Sequence, residues 1–321
     1  MIALRILGTA LLAVTMLAAE APPVIELTKD SQLFVDDHLI GRMQGVFRSL
    51  NNPQRVPQNP IMIPDRPWEG YLVLQPGTAI FDKQDQLFKM WYNALPTREK
   101  PSVEQYLCYA TSRDGIRWEK PDLNLVEFQG SKANNIILKW SNWTHSVVKD
   151  PGERDEQRRY KMAYWQTEDR KRCGVWVAFS PDGIRWTNIE DNPVVPCSAT
   201  GDTFSVMQDP GTRRYFLYHK TGIGALRKVS RMWSEDFIHW RDDRHVLEPD
   251  QYDQPDTEFY GLSAFPYGSQ YLGMLWVFHT YLQQLDVQLA SSLDGLRWHR
   301  VRNRRLFIPL GYMKLEYSGS S

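Results

Sequence analysis

Cysteine is scarce: Cys108, Cys173 and Cys197 are the only three in 321 residues. So low and odd a count excludes a disulfide framework, and the spacing matches no zinc motif. Cys108 and Cys173 lie in apolar, strand-like runs, so buried thiols are the expectation, with room for one disulfide in an exported chain. Net charge is missing too: 38 Lys and Arg balance 38 Asp and Glu. A nucleic-acid binder would show a basic excess. There is no glycine-rich phosphate loop and no metal-ligating cluster, so neither cofactor nor metal is expected. No convincing amphipathic helix occurs between Leu33 and Leu310. The apolar run Tyr271–Leu282 is too short to cross a bilayer and contains His279, so no membrane span is expected.

The N-terminus reads as an export signal. Arg5 precedes thirteen apolar or small residues, Ile6 to Ala18, which run into "LAAEAPP" (17–23). That length suits a signal peptide over residues 1–21, cleaved near 19–21, better than a span. It would leave one domain over 22–310 and a short tail, 311–321, in the periplasm or outside the cell.

What the chain has in abundance is aromatics, with 12 Trp, 15 Tyr and 13 Phe, and one refrain. "SRDGIRW" (112–118), "SPDGIRW" (180–186), "SEDFIHW" (234–240) and "SLDGLRW" (292–298) place four tryptophans 68, 54 and 58 residues apart. Each copy follows three strand-like runs and leads a fourth. The second run of each set ("LFKMWYNA", "RYKMAYWQ", "RYFLYHKT", "YLGMLWVF") is apolar on both faces, as expected of sheets packed between neighbours. The period predicts an all-β propeller of four-stranded antiparallel blades rather than a β-sandwich. The four blades are expected near 72–128, 143–192, 202–249 and 258–307. In the refrain, Ser and Asp tie the turn to nearby backbone N–H groups, Gly permits positive φ, and Trp118, Trp186, Trp240 and Trp298 pack between blades. Four copies cannot share one pocket, so the refrain is read as structural.

"SEDFIHW" resembles the Ser-x-Asp-Leu-x-x-Trp turns of the five-bladed glycoside hydrolases of families 32, 43, 68 and 130. "NPIMIPDRPWEGYLVLQPGTAIFD" (59–82) is similar to the opening of family 130, with Gln75 where that family has Asn. "LFVDDHLI", "GDTFSVMQDP" and "EFYGLSAFPY" look like an exported bacterial branch of the clan. The resemblance implies a five-bladed propeller, its fifth blade incomplete here because residues 22–70 cannot supply four strands. It also implies carboxylates at the starts of the innermost strands, converging on the axis to cleave a glycosidic bond in an oligo- or polysaccharide.

Glycosidic cleavage takes a carboxylate and a carboxylic acid on opposite sides of the bond. The acids just before inner strands are Asp202 in "TGDTFSV" and Glu258 in "PDTEFYG". They are the candidate catalytic pair, with Glu258 as the acid because of its aromatic flank. Substrate-binding candidates are Gln75, His145, Asp256, Tyr260, Asp36 and Trp68. Asp36 or Asp37 is the candidate third carboxylate, and Glu69 lies upstream of the first inner strand. Gln75 cannot act as a nucleophile. A phosphorylase, which needs one general acid, and a sugar- or protein-binding propeller without turnover therefore stand as alternatives to a hydrolase.

Overall fold

The computed structural model describes residues 27, 29–74, 77–97, 105–140, 144–167, 170–222 and 226–308. The signal segment, the tail and Gln75 lie outside the described residues. Four antiparallel sheets follow one another along the chain. Blade 1 holds β1 (Leu72–Leu74), β2 (Ala79–Asp82), β3 (Leu87–Leu95), β4 (Gln105–Ser112) and β5 (Ile136–Trp140). Blade 2 holds β6 (His145–Lys149), β7 (Tyr160–Gln166), β8 (Gly174–Ser180), β9 (Thr187–Asn188) and β10 (Val195–Pro196). Blade 3 holds β11 (Phe204–Gln208), β12 (Tyr215–Thr221), β13 (Lys228–Ser234) and β14 (Arg241–Leu247). Blade 4 holds β15 (Thr257–Tyr267), β16 (Gln270–His279), β17 (Gln284–Ser292), β18 (His299–Arg300) and β19 (Leu306–Ile308). Among the described residues, helix is confined to the 3-10 turns Glu156–Arg158, Arg170–Arg172 and Arg302–Arg304. The fold is an all-β, propeller-like arrangement.

In every blade, pairing with the third strand resumes just after the refrain's Trp: Glu119 bridges Thr111, and β9, β14 and β18 begin at 187, 241 and 299. In blades 1, 2 and 4 the outer strand is broken, and its second piece is β5, β10 or β19. Blade 1 therefore runs to Trp140, past the expected end at Phe128. The refrain is a turn clamp. Asp114, Asp182, Asp236 and Asp294 each accept the N–H groups two and three residues on, at 2.8–2.9 Å. The preceding serines accept the N–H at the Gly position at 2.8–3.0 Å. The backbone N–H groups of Arg117 and Ile116 hold the exposed Asp114 carboxyl down to about 2. Trp298 is buried and the other three refrain tryptophans half-buried. Trp186, Trp240 and Trp298 join the apolar clusters between their own blade and the one before. Trp118 joins the cluster on the outer face of blade 1.

The blade junctions share a code, and the strand registers define its positions. Phe88, Tyr160, Tyr215 and Tyr271 each pair with the serine of their own refrain. Across each junction the tyrosine of one blade donates to the turn aspartate of the blade before: Tyr160 to Asp82 at 2.8 Å, Tyr215 to Asp150 at 2.5 Å, Tyr271 to Asp209 at 2.6 Å. Four residues before each aspartate stands a hydroxyl. Thr78 and Ser146 accept the N–H of Val147 and Val206 in the next blade, and Ser205 donates to the Leu262 carbonyl. Three residues beyond each aromatic of the first set stand Trp91, Ala163, Tyr218 and Met274. Trp91 and Tyr218 donate to the carbonyls of Gly183 and Gly295 in the next refrain at 2.7 and 2.9 Å. A Cβ on Gly183 would sit 2.9 Å from the Trp91 ring, and one on Gly295 2.8 Å from the Tyr218 hydroxyl. Where the aromatic is replaced by Ala163, the next refrain carries Phe237 instead of Gly, at φ 70°, fully buried in the same cluster. The exceptional refrain thus fills the space that the exceptional alanine leaves.

The expected fifth blade is corrected: four sheets form among the described residues. Before Leu72 no strand forms there. Residues 51–67 carry five prolines, each lacking the N–H that a ladder needs. Residues 31–69, which include this stretch, cross from blade 4 to blade 1 instead. The Ser31 carbonyl accepts the Ser269 N–H, Asp36 accepts from Ser291 at 2.8 Å, and Asn52 donates to the carbonyls of Leu306 and Phe307. At blade 1, Glu69 is fully buried and receives Lys120 and Tyr92. The central strands record the difference. β7 and β12 are buried on both faces over Tyr160–Trp165 and Tyr215–Lys220, as is β3 from Met90 onward. In β16, Gly273, Leu275 and Val277 are buried against blade 3, while Leu272, Met274, Trp276 and Phe278 are half-exposed. The code stops at the same place: blade 4 has Tyr267 where the others have aspartate, and blade 1 has Phe88 where the others have tyrosine.

Candidate functional site

The starts of the inner strands of blades 3 and 4 bring Asp202, Glu258 and Tyr260 into one cluster. Backbone pairing places the cations beside them: Gly201 N–H bonds the Lys220 carbonyl and Lys220 N–H the Thr203 carbonyl, while Phe259 N–H bonds the Arg227 carbonyl. Lys220 Nζ then reaches Asp202 at 2.5 Å, and Arg227 pairs with Glu258. Both cations lie over one ring, Lys220 Nζ at 3.9 Å and Arg227 Cζ at 5.6 Å from the Tyr260 centroid. A bulge between Phe259 and Gly261 inserts Tyr260 into the β15 ladder; bulges re-aim side chains in this way. The edge of Tyr260 meets Phe278, centroids 5.6 Å apart. The cluster thus runs carboxylate, cation, aromatic, cation, carboxylate. The Asp202 side chain is 53% exposed and that of Glu258 14%.

The other candidates lie apart from this cluster or beside it. Asp256 is two residues from Glu258; its carbonyl accepts the N–H and hydroxyl of Thr280, and its carboxylate the Tyr281 N–H. It ties down the loop after β16. His145, which opens β6, is buried, its Nε2–H donating to the Trp91 carbonyl at 3.0 Å. Gly77 packs so closely on this ring that a Cβ there would fall 1.9 Å from Nε2. Burial brings the imidazole down to about 4, against 6.5, despite the hydrogen bond to the Trp91 carbonyl, which pulls the other way. The Trp68 indole donates to Asn135 at 2.8 Å and meets Phe128 edge-on, covering the outer face of blade 1. Asp36 accepts its own loop's His38 N–H as well as Ser291, and Asp37 pairs with Arg48. Gln75 lies outside the described residues.

The axis holds a cavity of about 930 Å³, lined by the inner strands of all four blades. His145, Gly77 and Phe204 stand at one end; at the other, Lys83, Pro151, Pro210, Arg213 and Pro266 are exposed on the turns. The mouth therefore opens at the turn end, whereas Asp202 and Glu258 stand at the strand starts and are not among its lining residues. Lys220 and Arg227 were not anticipated from the sequence. They sit at the end of β12 and just before β13: pairing within blade 3 brings Lys220 to Asp202, and the blade 3–blade 4 junction brings Arg227 to Glu258. Among the described residues no group of three or more His, Cys, Asp or Glu side chains could hold a metal ion.

No family model matches the chain. Two proteins of Mycobacterium tuberculosis described as uncharacterized, from strains H37Rv and CDC 1551, are each 29% identical over 147 residues. The alignment spans 43% of this chain and 44% of each relative, so the chain matches less than half the length of these curated proteins. Solved structures are similar in fold at low identity. A thermostable family-43 glycoside hydrolase superposes with TM-score 0.51 at 12% identity, over 72% of this chain and 73% of that one. The β-fructofuranosidase of Schwanniomyces occidentalis gives 0.54 at 18%, over 74% and 47%. An endo-arabinase of Bacteroides thetaiotaomicron gives 0.51 at 10%, over 73% and 81%. These neighbours establish a propeller-like fold shared with glycoside hydrolases.

Proposed function

We propose that this chain is an exported glycoside hydrolase acting on an oligo- or polysaccharide, with Asp202 and Glu258 as its carboxylate pair. One observation carries the reading: acids from the starts of two consecutive inner strands meet around a single aromatic ring, Tyr260. An aromatic face between two carboxylates suits a sugar ring, which stacks on it and offers hydroxyls to Lys220 and Arg227. Glu258, the more enclosed of the two, is assigned as general acid, protonated once substrate hydroxyls draw Arg227 away from it, and Asp202 acts on the opposite side of the bond. The fold of the solved neighbours supports a carbohydrate-active propeller. Export is supported by the apolar run Ile6–Ala18 and by the Cys173–Cys197 disulfide, a bond that persists in oxidising compartments.

A second reading has its own support. Lys220 and Arg227 are two cations between the acids, the donor set that takes a phosphate, so phosphorolysis is the alternative to hydrolysis. Assays on aryl glycosides and polysaccharides, with and without inorganic phosphate, separate the two. With a substrate in hand, Glu258→Gln is expected to cut turnover by about 10²–10⁴-fold, the range for losing a general acid, at unchanged melting temperature. Full activity in both Glu258→Gln and Asp202→Asn would end the catalytic assignment and leave a sugar-binding propeller.

A further inference from the structure

The axial cavity is chemically unlike the rim cluster. Three of its four wall hydroxyls, those of Thr78, Ser146 and Ser205 but not Ser263, are bonded across the blade junctions. Apolar side chains supply much of the rest of the lining, among them Val147, Val206, Phe265 and Trp276. Trp276 belongs to the second strand of blade 4, and it reaches the cavity because no described sheet covers that face. A volume of about 930 Å³ is at the upper end of small-molecule sites, which span about 300–1,000 Å³. A sugar would find few unspent partners on this wall. An alkyl or aryl body would bury apolar surface against it.

The mouth has a sign. Three cations, Lys83, Lys149 and Arg213, line it against one carboxylate, Asp82. Asp82 is held by Lys149 and Lys89, and Arg213 by Asp150. Counting the partners Asp150, Lys89 and Asp85 with the lining leaves one positive charge in excess. Lys83 is exposed and makes no ion pair among the described residues.

We propose that the axial cavity binds a small amphiphile with an anionic head, its apolar body against Val206, Phe265 and Trp276 and its head at Lys83. Decanoate, titrated calorimetrically below its micelle concentration, is the probe, with decanol as the uncharged comparator. Wild-type protein is expected to bind decanoate saturably at one site. Ser263→Trp, which fills the cavity from its open wall, should weaken both probes by about tenfold or more, as expected when a buried apolar contact is lost. Lys83→Glu should weaken decanoate by about fivefold, the scale of an exposed charge contact, and decanol by less than twofold. A diazirine-bearing decanoate should label peptides holding Phe265 or Trp276 in the wild type, a readout that needs no variant to fold. No saturable binding, labelling confined to other peptides, or unchanged affinity in a folded Ser263→Trp protein would each overturn the proposal.

Discussion

His145 shows how one residue can be chemically conspicuous in a sequence and structurally spent in the fold. Its Nε2–H is committed to Trp91, its ring lies under Gly77, and burial keeps it neutral down to about pH 4. The unfolded chain takes up this proton near 6.5, so between those values the unfolded state binds more protons than the native state. Stability contributed by His145 is therefore complete above about pH 6.5 and lost as pH falls to about 4. The linkage amounts to about 3 kcal/mol. His145→Gln keeps an N–H donor and does not titrate, so its stability should fall less steeply than the wild type's over that interval in denaturant titrations. Parallel slopes would contradict the assignment. Asp202, Glu258 and Tyr260 were legible as candidates because inner-strand starts can be read from turn spacing. Lys220 and Arg227 were not: Lys220 reaches Asp202 only through the register of its own sheet, and Arg227 meets Glu258 across a blade junction that no local pattern announces.

At the scale of elements, the refrain made the blades readable, because a side-chain clamp on a tight turn is a local device with a local signature. The broken outer strands were less readable: β5, β10 and β19 follow irregular connections whose pairing is decided by the third strand of the sheet. The Phe237 variation is a long-range compensation, visible only once Ala163 is known to face it. Ala163→Trp alone should overpack the blade 2–blade 3 junction at about 1–3 kcal/mol. Phe237→Gly alone should open a cavity costing about 3–5 kcal/mol. The double variant recreates the Trp91–Gly183 arrangement and should recover much of both losses. A double-mutant cycle that sums additively, with no coupling beyond about 0.5 kcal/mol, would show that the two positions are independent.

For the whole molecule, the resemblance implies a ring of five, and the proline-rich crossing 51–67 explains why four sheets and a strap form among the described residues instead. The Ser31, Asp36 and Asn52 contacts join the strap to blade 4, and Glu69 with Lys120 joins it to blade 1. The Cys173–Cys197 disulfide, 24 residues apart in sequence, closes blade 2 between β8 and β10. It should contribute about 3 kcal/mol, the usual scale for a loop of this length. Cys197→Ser is expected to lower the unfolding free energy by about that amount, and reductant to do the same to the wild type. Identical denaturation midpoints with and without reductant would refute the disulfide's contribution.

The alternation of large and small residues at the junctions also bears on assembly order. Trp91 and Tyr218 require a glycine in the refrain that faces them, and Ala163 requires Phe237. If blade 1 met blade 3 during folding, the Trp91 ring would collide with Phe237. If blade 2 met blade 4, Ala163 would face Gly295 across a void. Blades 1 and 3 expect the same kind of neighbour, but blade 2 accepts only one. A repeat protein built from near-identical sheets risks domain-swapped and permuted products, and a single exchanged pair of side-chain volumes makes the middle junction of this chain discriminate against them.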